Sequence, residues 1–492
     1  MSSPDLVIGL DSSTQSTKAL AWTREGEPVA EGRAPIPMET PAPGWAEQDP
    51  VDWWSAAATA LTALCAQVDP ARVAGLAISN QRETVALVDE DLAPVRPAMV
   101  WLDERARDEL RPFSETFGAG ELHRITGKPV DVTPVVYRLS WLRRREPETL
   151  DRAAKILDVH GYLTARLTGR AIASWTSADP FGVFDIAAKD WSGPILDRLG
   201  LTADRFASLA RPSERIGAVT EAAAAETGLR PGTPVFAAGG DGQCAGLGVD
   251  AARPGVVYLN LGTAIITGAW SADPRPSLTW RTMTSPTGEG YFLEGCQRAG
   301  AFFVNWFVDT LAGGRDQPGV FDRLEAEAAR LPIGSEGATV SPYLSGCMDP
   351  HWDPDARAAF LGLAPHHGLG HLYRASLEAL TLESARCVAA MDAAGMGPER
   401  IVAVGGGAAS ALWREMLADA TGLPLSVSRS VEASSLGAAM TAAAGLGWHA
   451  SLPKAAAAMS AQGGATAPNP ARATQWRALA DRQARAYVAS RL

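Results

Sequence analysis

The sequence predicts an α/β protein made of two similarly organised halves, and three observations carry that reading. Short, nearly uninterrupted apolar runs recur along the chain, the pattern of strands covered on both faces. Helical stretches lie between them, the alternation of a sheet packed by helices. A strand–turn–strand unit at the start of the chain recurs near its middle.

The first unit is Leu6-Val7-Ile8-Gly9-Leu10-Asp11, a buried strand, then the turn Ser12-Ser13-Thr14-Gln15-Ser16-Thr17. Lys18-Ala19-Leu20-Ala21-Trp22 returns, so the unit is a β-hairpin with a hydroxyl-rich tip. Residues 73–79 form a further strand ending at Asn80-Gln81, and 234–238 another, ending at Gly239-Gly240-Asp241-Gly242. Gly, Asp, Arg and Pro cluster over 248–254, which sets expected domains at 1–247 and 248–492. The second hairpin follows: strand 256–260, turn Leu261-Gly262-Thr263, return 264–268. Aligned on their threonines, Asp11-x-x-Thr14 lies over Asn260-x-Gly262-Thr263. A duplicated domain gives this match, and so do two unrelated hairpins. Strand 401–404 runs into Gly405-Gly406-Gly407, and helices are expected over 372–394, 412–420 and, at the surface, 475–492.

A chain of 492 residues is long enough for two to four domains and for cores that need no disulfides. The net charge of -11 argues against a nucleic-acid surface but leaves room for a nucleotide held by backbone N–H groups. Five scattered cysteines without a CxxC pair fit a reducing cytoplasm and offer no cysteine-rich metal site. No secretory signal opens the sequence. The longest apolar run, 56–66, falls short of the ~20 residues a bilayer needs, so neither membrane nor nucleic acid is an expected partner.

Asp241 is the leading reactive group. It follows a buried strand, lies between glycines and opens a helix whose N-terminus favours the ionised form a base needs. A simple helix cap would look the same. Asp11 ends the first strand, and with Asp241 it can flank one Mg²⁺, which takes one or two carboxylates plus phosphate oxygens. The tips Thr14-Gln15-Ser16 and Gly262-Thr263 offer hydroxyls and free N–H groups for phosphate, with Lys18 adding charge. Three successive glycines, 405–407, exceed what a turn requires and can bring backbone against a flat ligand or a phosphate. No GxxxxGK[ST] loop is present. Arg82-Glu83 can hold adjacent hydroxyls or form a surface ion pair. Trp101 can add a stacking face and Asp103 an acceptor, or both can serve packing and capping.

Together these segments resemble the FGGY family of carbohydrate kinases. The resemblance runs through 9–18, 43–54, 96–103, Leu167-Thr168-Gly169, Gly240-Asp241-Gly242-Gln243, Asn260-Leu261-Gly262-Thr263, Asp353-Pro354-Asp355-Ala356-Arg357 and Gly405-Gly406-Gly407-Ala408. It implies two actin-like, RNase H-like domains around a catalytic cleft, with sugar held by the first and ATP with Mg²⁺ by the second. Asp241 then deprotonates the attacking hydroxyl, and Arg82, Glu83, Trp101, Asp103 and Gln243 contact the sugar. Thr14, Gln15, Ser16, Lys18, Gly262, Thr263, Gly300, Gly406, Gly407 and Ala408 are implied nucleotide contacts, Asp11 and Asp241 metal contacts.

The chain departs from the family pattern in places. Ser13 stands where Gly is usual, and Gly346-Cys347-Met348-Asp349-Pro350 where Gly-Glu-Arg-Thr-Pro is frequent. Asn80-Gln81-Arg82-Glu83-Thr84 resembles glycerol kinases, whereas Leu157-Asp158-Val159-His160 and Thr176-Ser177-Ala178-Asp179-Pro180 are closer to pentulose kinases. The implied reaction is transfer of the γ-phosphoryl group of MgATP to a primary hydroxyl of a ketopentose such as D-xylulose, with glycerol or erythritol as alternative acceptors. An actin- or chaperone-like ATPase switch is a rival of another class, disfavoured by the polar pair Arg82-Glu83 beside Trp101. The expected setting is cytoplasmic, with a homodimer left open.

Overall fold

The structure, a computed structural model, describes residues 4–490 apart from 350, 354 and 431. Pro350 and Pro354 of the quoted motifs and the last two residues of the expected C-terminal helix therefore lie outside the described residues.

Two mixed sheets form the framework. The first contains β1 (Leu6–Ser12), β2 (Ser16–Trp22), β3 (Pro28–Pro35), β4 (Val73–Asn80), β5 (Arg215–Ala218) and β6 (Pro234–Gly240) in the order β3-β2-β1-β4-β6-β5. The second contains β7 (Val256–Leu261), β8 (Ile265–Ser271), β9 (Arg281–Thr284), β10 (Tyr291–Gln297), β11 (Arg400–Val404), β12 (Leu425–Ser428) and β13 (Gln462–Thr466) in the order β9-β10-β8-β7-β11-β12-β13. Each sheet has an antiparallel three-strand meander, two further strands parallel to its last member, and an antiparallel edge. β9 is the one addition. The shared strand order decides what the sequence left open: β1–β2 and β7–β8 are equivalent hairpins of a duplicated fold.

Strand alternation then sorts the side chains. Leu6, Ile8 and Leu10 enter a core with Trp53, Trp54, Leu61 and Leu64 of helix α1 (Pro50–Cys65). Val7, Gly9 and Asp11 face the other way. Likewise Val257, Leu259 and Leu261 join the core of the second half, while Val256 and Tyr258, and with them Asn260, face the first.

Between the sheets lies α2 (Asp241–Gly248). Its Cys244 and Leu247 pack toward the first sheet, and Ala245 toward Tyr258, Phe292 and Val402 of the second. Crossing it is α6 (Ala433–Gly445), which comes from the C-terminal half yet lies on the first sheet. Glycines allow this approach. A Cβ on Gly437 would stand 1.9 Å from the Cys244 carbonyl oxygen, and one on Gly9 1.9 Å from that of Ser435. The outer helices of the second half are α3 (Ala301–Leu311), α4 (Leu369–Ala393), α5 (Ala411–Thr421) and α7 (Ala473–Ser490). The expected surface helix α7 does lie outside, but it buries Trp476, Leu479 and Gln483. Among the described residues no helix is long and apolar enough to cross a membrane.

Candidate active site

Asp11, Ser79 and Gly239 stand side by side on β1, β4 and β6, so Asp11 and the start of α2 share one sheet edge. Asp11 is buried. Its Oδ1 accepts from Ser79 Oγ and its Oδ2 from Ser13 Oγ, both at 2.8 Å. The Ser13 side chain that replaces the usual glycine thus has a use, and its φ is not left-handed. Burial, with the charge of Asp241 behind it, pushes the Asp11 carboxyl up to about 6. Two carboxylates close enough to repel in this way fit a magnesium ion that brings phosphate oxygens with it. Asp11 and Asp241 are the residues that would hold the ion, which would supply charge to offset the phosphates.

Asp241 is the first residue of α2. Its Oδ1 accepts from the Gly242 N–H at 2.7 Å and from Arg82 Nε at 3.1 Å. Capping is therefore partial, and 37% of the side chain stays open. Surrounding protein raises its carboxyl and Arg82 partly offsets that rise.

Arg82 also donates from Nη1 to Glu294 Oε2 at 2.8 Å and to Gln243 Oε1 at 3.2 Å. Glu294 lies on β10 of the other half and is fully buried. Its second oxygen accepts from Arg281 Nη2, and Arg281 Nη1 donates to Glu83 Oε1 at 2.6 Å. Burial alone would raise Glu294, but Arg82 and Arg281 outweigh it and hold it at about 2. Arg82 and Glu83 are thus neither paired to each other nor at the surface. Glu83 faces Arg281 across the domain junction, with a left-handed φ of 49° that this pairing holds in place. Beside them Lys128, paired to Asp179, donates to the Thr282 carbonyl on β9 at 3.0 Å.

Trp101 is 37% exposed, and its Nε1 donates to Thr14 Oγ1 at 2.9 Å. The Thr14 carbonyl accepts from Gln48 Nε2 at 2.6 Å. The first hairpin tip therefore stands among the groups expected for sugar. Gln15 and Ser16 use their carbonyls on Ile36 and Ser13. Asp103 is fully buried and held by Arg105 and the Ala46 N–H, which commits its carboxylate to the protein rather than to a ligand. Gln243 is fully buried too, tied to Arg82 and the Thr176 carbonyl. Lys18 forms a 2.7 Å ion pair with Glu432, just ahead of α6.

On the second half the tip 262–263 holds the start of α3: Gly262 and Thr263 carbonyls accept from Ala301 and Gly300 N–H groups. Gly300 packs there, since a Cβ would lie 2.7 Å from the Gly262 oxygen. The triple glycine resolves into distinct needs. Gly405 has φ +86° and faces Asn260 and Leu261, and Gly407 is wedged against Trp413 and Leu261. Gly406 has nothing within 4 Å of a built Cβ, so packing does not demand it. Ala408 is buried, its N–H donating to the Gly405 carbonyl and its own carbonyl accepting from Arg414 Nη1, so it does not stand open to a ligand.

The sequence reading missed Glu294, Arg281, Glu432 and Lys128. A glutamate inside the apolar strand Tyr-Phe-Leu-Glu-Gly-Cys-Gln was a usable signal. Glu432 lies 414 residues from its partner and offered none.

Known proteins agree with this architecture. Residues 6–248 match the N-terminal domain, and 257–446 the C-terminal domain, of the FGGY family of carbohydrate kinases. Xylulose kinase of Escherichia coli strain K12 is 30% identical over 422 residues, 85% of this chain and 86% of that protein. Gluconokinase of Bacillus subtilis strain 168 is 27% identical over 440 residues, 88% and 86%. The crystal structure of xylulose kinase from Rhodospirillum rubrum superposes with a TM-score of 0.92 at 29% identity, over 98% of both chains. With both domain models matched over most of its length, the chain belongs to the FGGY family of carbohydrate kinases and phosphorylates a sugar hydroxyl with ATP.

Proposed function

We propose that the acceptor is a ketopentose, D-xylulose first, phosphorylated on its primary hydroxyl with Asp241 as general base. The observation that carries this is the partly open Asp241 carboxylate at the start of the interdomain helix, oriented by Arg82. A hydroxyl in front of it gives up its proton to the free oxygen while attacking the γ-phosphorus in line. Trp101 offers a face to the carbon chain. Glycines 262 and 406, with Thr263, supply backbone to the nucleotide. Asp11 and Asp241 would hold Mg²⁺, which would offset the phosphate charge. Catalysis of this kind is mostly positioning and electrostatics. The free cysteines fit a cytoplasmic enzyme.

The xylulose kinase relatives support the pentulose. The Arg82-Glu83 pair kept glycerol and erythritol open, but Glu83 is committed to Arg281, which leaves less of that pair for a short polyol. Steady-state kcat/KM for xylulose, ribulose, gluconate, glycerol and erythritol, coupled to ADP release, tests the assignment. Xylulose should lead. ATP hydrolysis that no acceptor stimulates would overturn the reading altogether.

A further inference from the structure

The peptide between Thr14 and Gln15, at the tip of the first hairpin, is held by one buried side chain. Gln48, two residues before α1 and 2% exposed, donates from Nε2 to the Thr14 carbonyl at 2.6 Å. Its amide can face only one way. Oε1 accepts from Trp53 Nε1 and from Gln81 Nε2, both at 2.9 Å. An indole N–H only donates and a carbonyl only accepts, so the amide nitrogen has to point at Thr14. Gln81 is fixed in turn by Thr84 Oγ1, which donates to its Oε1 at 3.3 Å.

A trans peptide is planar, and its C=O and N–H point to opposite sides. With the Thr14 carbonyl held inward on Gln48, the Gln15 N–H is turned outward. Gln15 is exposed, and among the described residues its N–H has no hydrogen-bond partner. Its own carbonyl is taken by the Ile36 N–H at 2.8 Å. An oriented, unpaired N–H in an open turn is a ready donor to an anion. On one side of this tip Ser13 holds Asp11, and on the other Trp101 holds the Thr14 hydroxyl. The tip thus stands between the carboxylate proposed for the metal and the ring proposed for the acceptor. A phosphate oxygen that reaches it belongs to the group in transfer.

We propose that Gln48 is a positioning residue for phosphoryl transfer, holding the Thr14–Gln15 peptide so that the Gln15 N–H donates to the γ-phosphoryl oxygens of ATP. The inference rests on the reading of the cleft as a kinase site with this tip on the nucleotide. Without the Gln48 donor the peptide is free to turn, and its N–H is no longer aimed at the charge on the transferred group. ADP lacks that group, so its binding does not depend on Gln48.

Calorimetric titration of the full-length protein with ADP and with the non-hydrolysable ATP analogue AMP-PNP, alongside kcat for the leading acceptor, tests it. Gln48→Met should lose about tenfold in kcat and in AMP-PNP affinity, the worth of one hydrogen bond to a charged group, and keep the ADP affinity of the unmodified protein. Trp53→Phe loosens the same buried cluster but leaves the bond to Thr14. Its melting temperature should fall while kcat stays within about twofold. Gln48→Glu keeps both acceptor bonds and, once protonated, regains a donor for Thr14. Its kcat relative to the unmodified protein should climb as pH falls from about 9 to about 6.5. Unchanged kcat and AMP-PNP affinity in Gln48→Met, an equal loss in Trp53→Phe, or a flat pH ratio in Gln48→Glu overturns the proposal. If Gln48→Met does not fold, the glutamate variant still decides. Turnover of the unmodified protein that no acceptor stimulates would sink the kinase reading instead, and the comparison of ADP with AMP-PNP would still judge Gln48.

Discussion

Arg82 and Glu294 come from opposite halves of the chain and meet at 2.8 Å, with the glutamate wholly buried and the arginine reaching on to Asp241. The orientation of the proposed base is thereby tied to the docking of the second sheet.

Removing the charge at Glu294 takes from two buried guanidinium groups the carboxylate they share, leaving Arg82 only Asp241 and Arg281 only Glu83. Glu294→Gln should cost about 3–5 kcal/mol of stability, read by urea unfolding. Adding Arg281→Met should cost less than the sum of the two single changes, because the pair shares one network. Full additivity would show that the network is not coupled.

Asp241→Asn keeps the size of the side chain and removes the base. A fall in kcat of ~10²–10⁴-fold is expected, with ATP affinity by calorimetry unchanged. Near-normal turnover would reassign the base.

Asp11 sets a pH limb. Its folded value of about 6 lies above the ordinary 3.8, so the folded state holds this proton more tightly than the unfolded chain. Its contribution to stability is full below pH 4 and fades as pH rises through 6. Activity should run the other way, falling below pH 6 as the carboxylate is lost. Raising Mg²⁺ should move that limb to lower pH, since metal and proton compete. A limb indifferent to magnesium counts against Asp11 as a metal contact.

The three glycines of 405–407 should separate by mutation. Gly405→Ala puts a Cβ at φ +86° within 2.8 Å of the Leu261 backbone and should cost about 1–3 kcal/mol of stability. Gly406→Ala should melt like the unaltered protein while its KM for ATP rises about fivefold, about 1 kcal/mol. The same KM as the parent would remove Gly406 from the nucleotide site.

Trp101→Phe retains a ring and deletes the bond to Thr14. The sugar KM should rise about fivefold, the worth of one hydrogen bond of about 1 kcal/mol, while the ATP KM stays put.

Much of this could be read from the sequence because the informative residues sit at strand ends. The apolar runs at 6–11, 73–79, 234–238 and 401–404 became β1, β4, β6 and β11, a residue or two longer at most. Period-two burial could only put Asp11 on the face opposite Leu10. What lies on that face is Ser435, whose distance along the chain no local pattern encodes. The site divided along the same line. Asp241 and the glycine turns have short-range signatures, whereas the partners of Lys18, Arg82 and Glu83 arrive from the far half through tertiary packing. Asp103 misled because a carboxylate beside a tryptophan looks alike whether it meets a ligand or an arginine, and Arg105, two residues on, takes it.

The lid that α6 places over Val7, Trp22, Ala77 and Phe236 has a consequence for biogenesis. A ribosome adding about 5–20 residues per second finishes residue 248 roughly 10–40 s before residue 445. Through that interval the nascent N-terminal half carries an uncovered greasy sheet face, so a holdase chaperone that shields it should raise the yield of active enzyme.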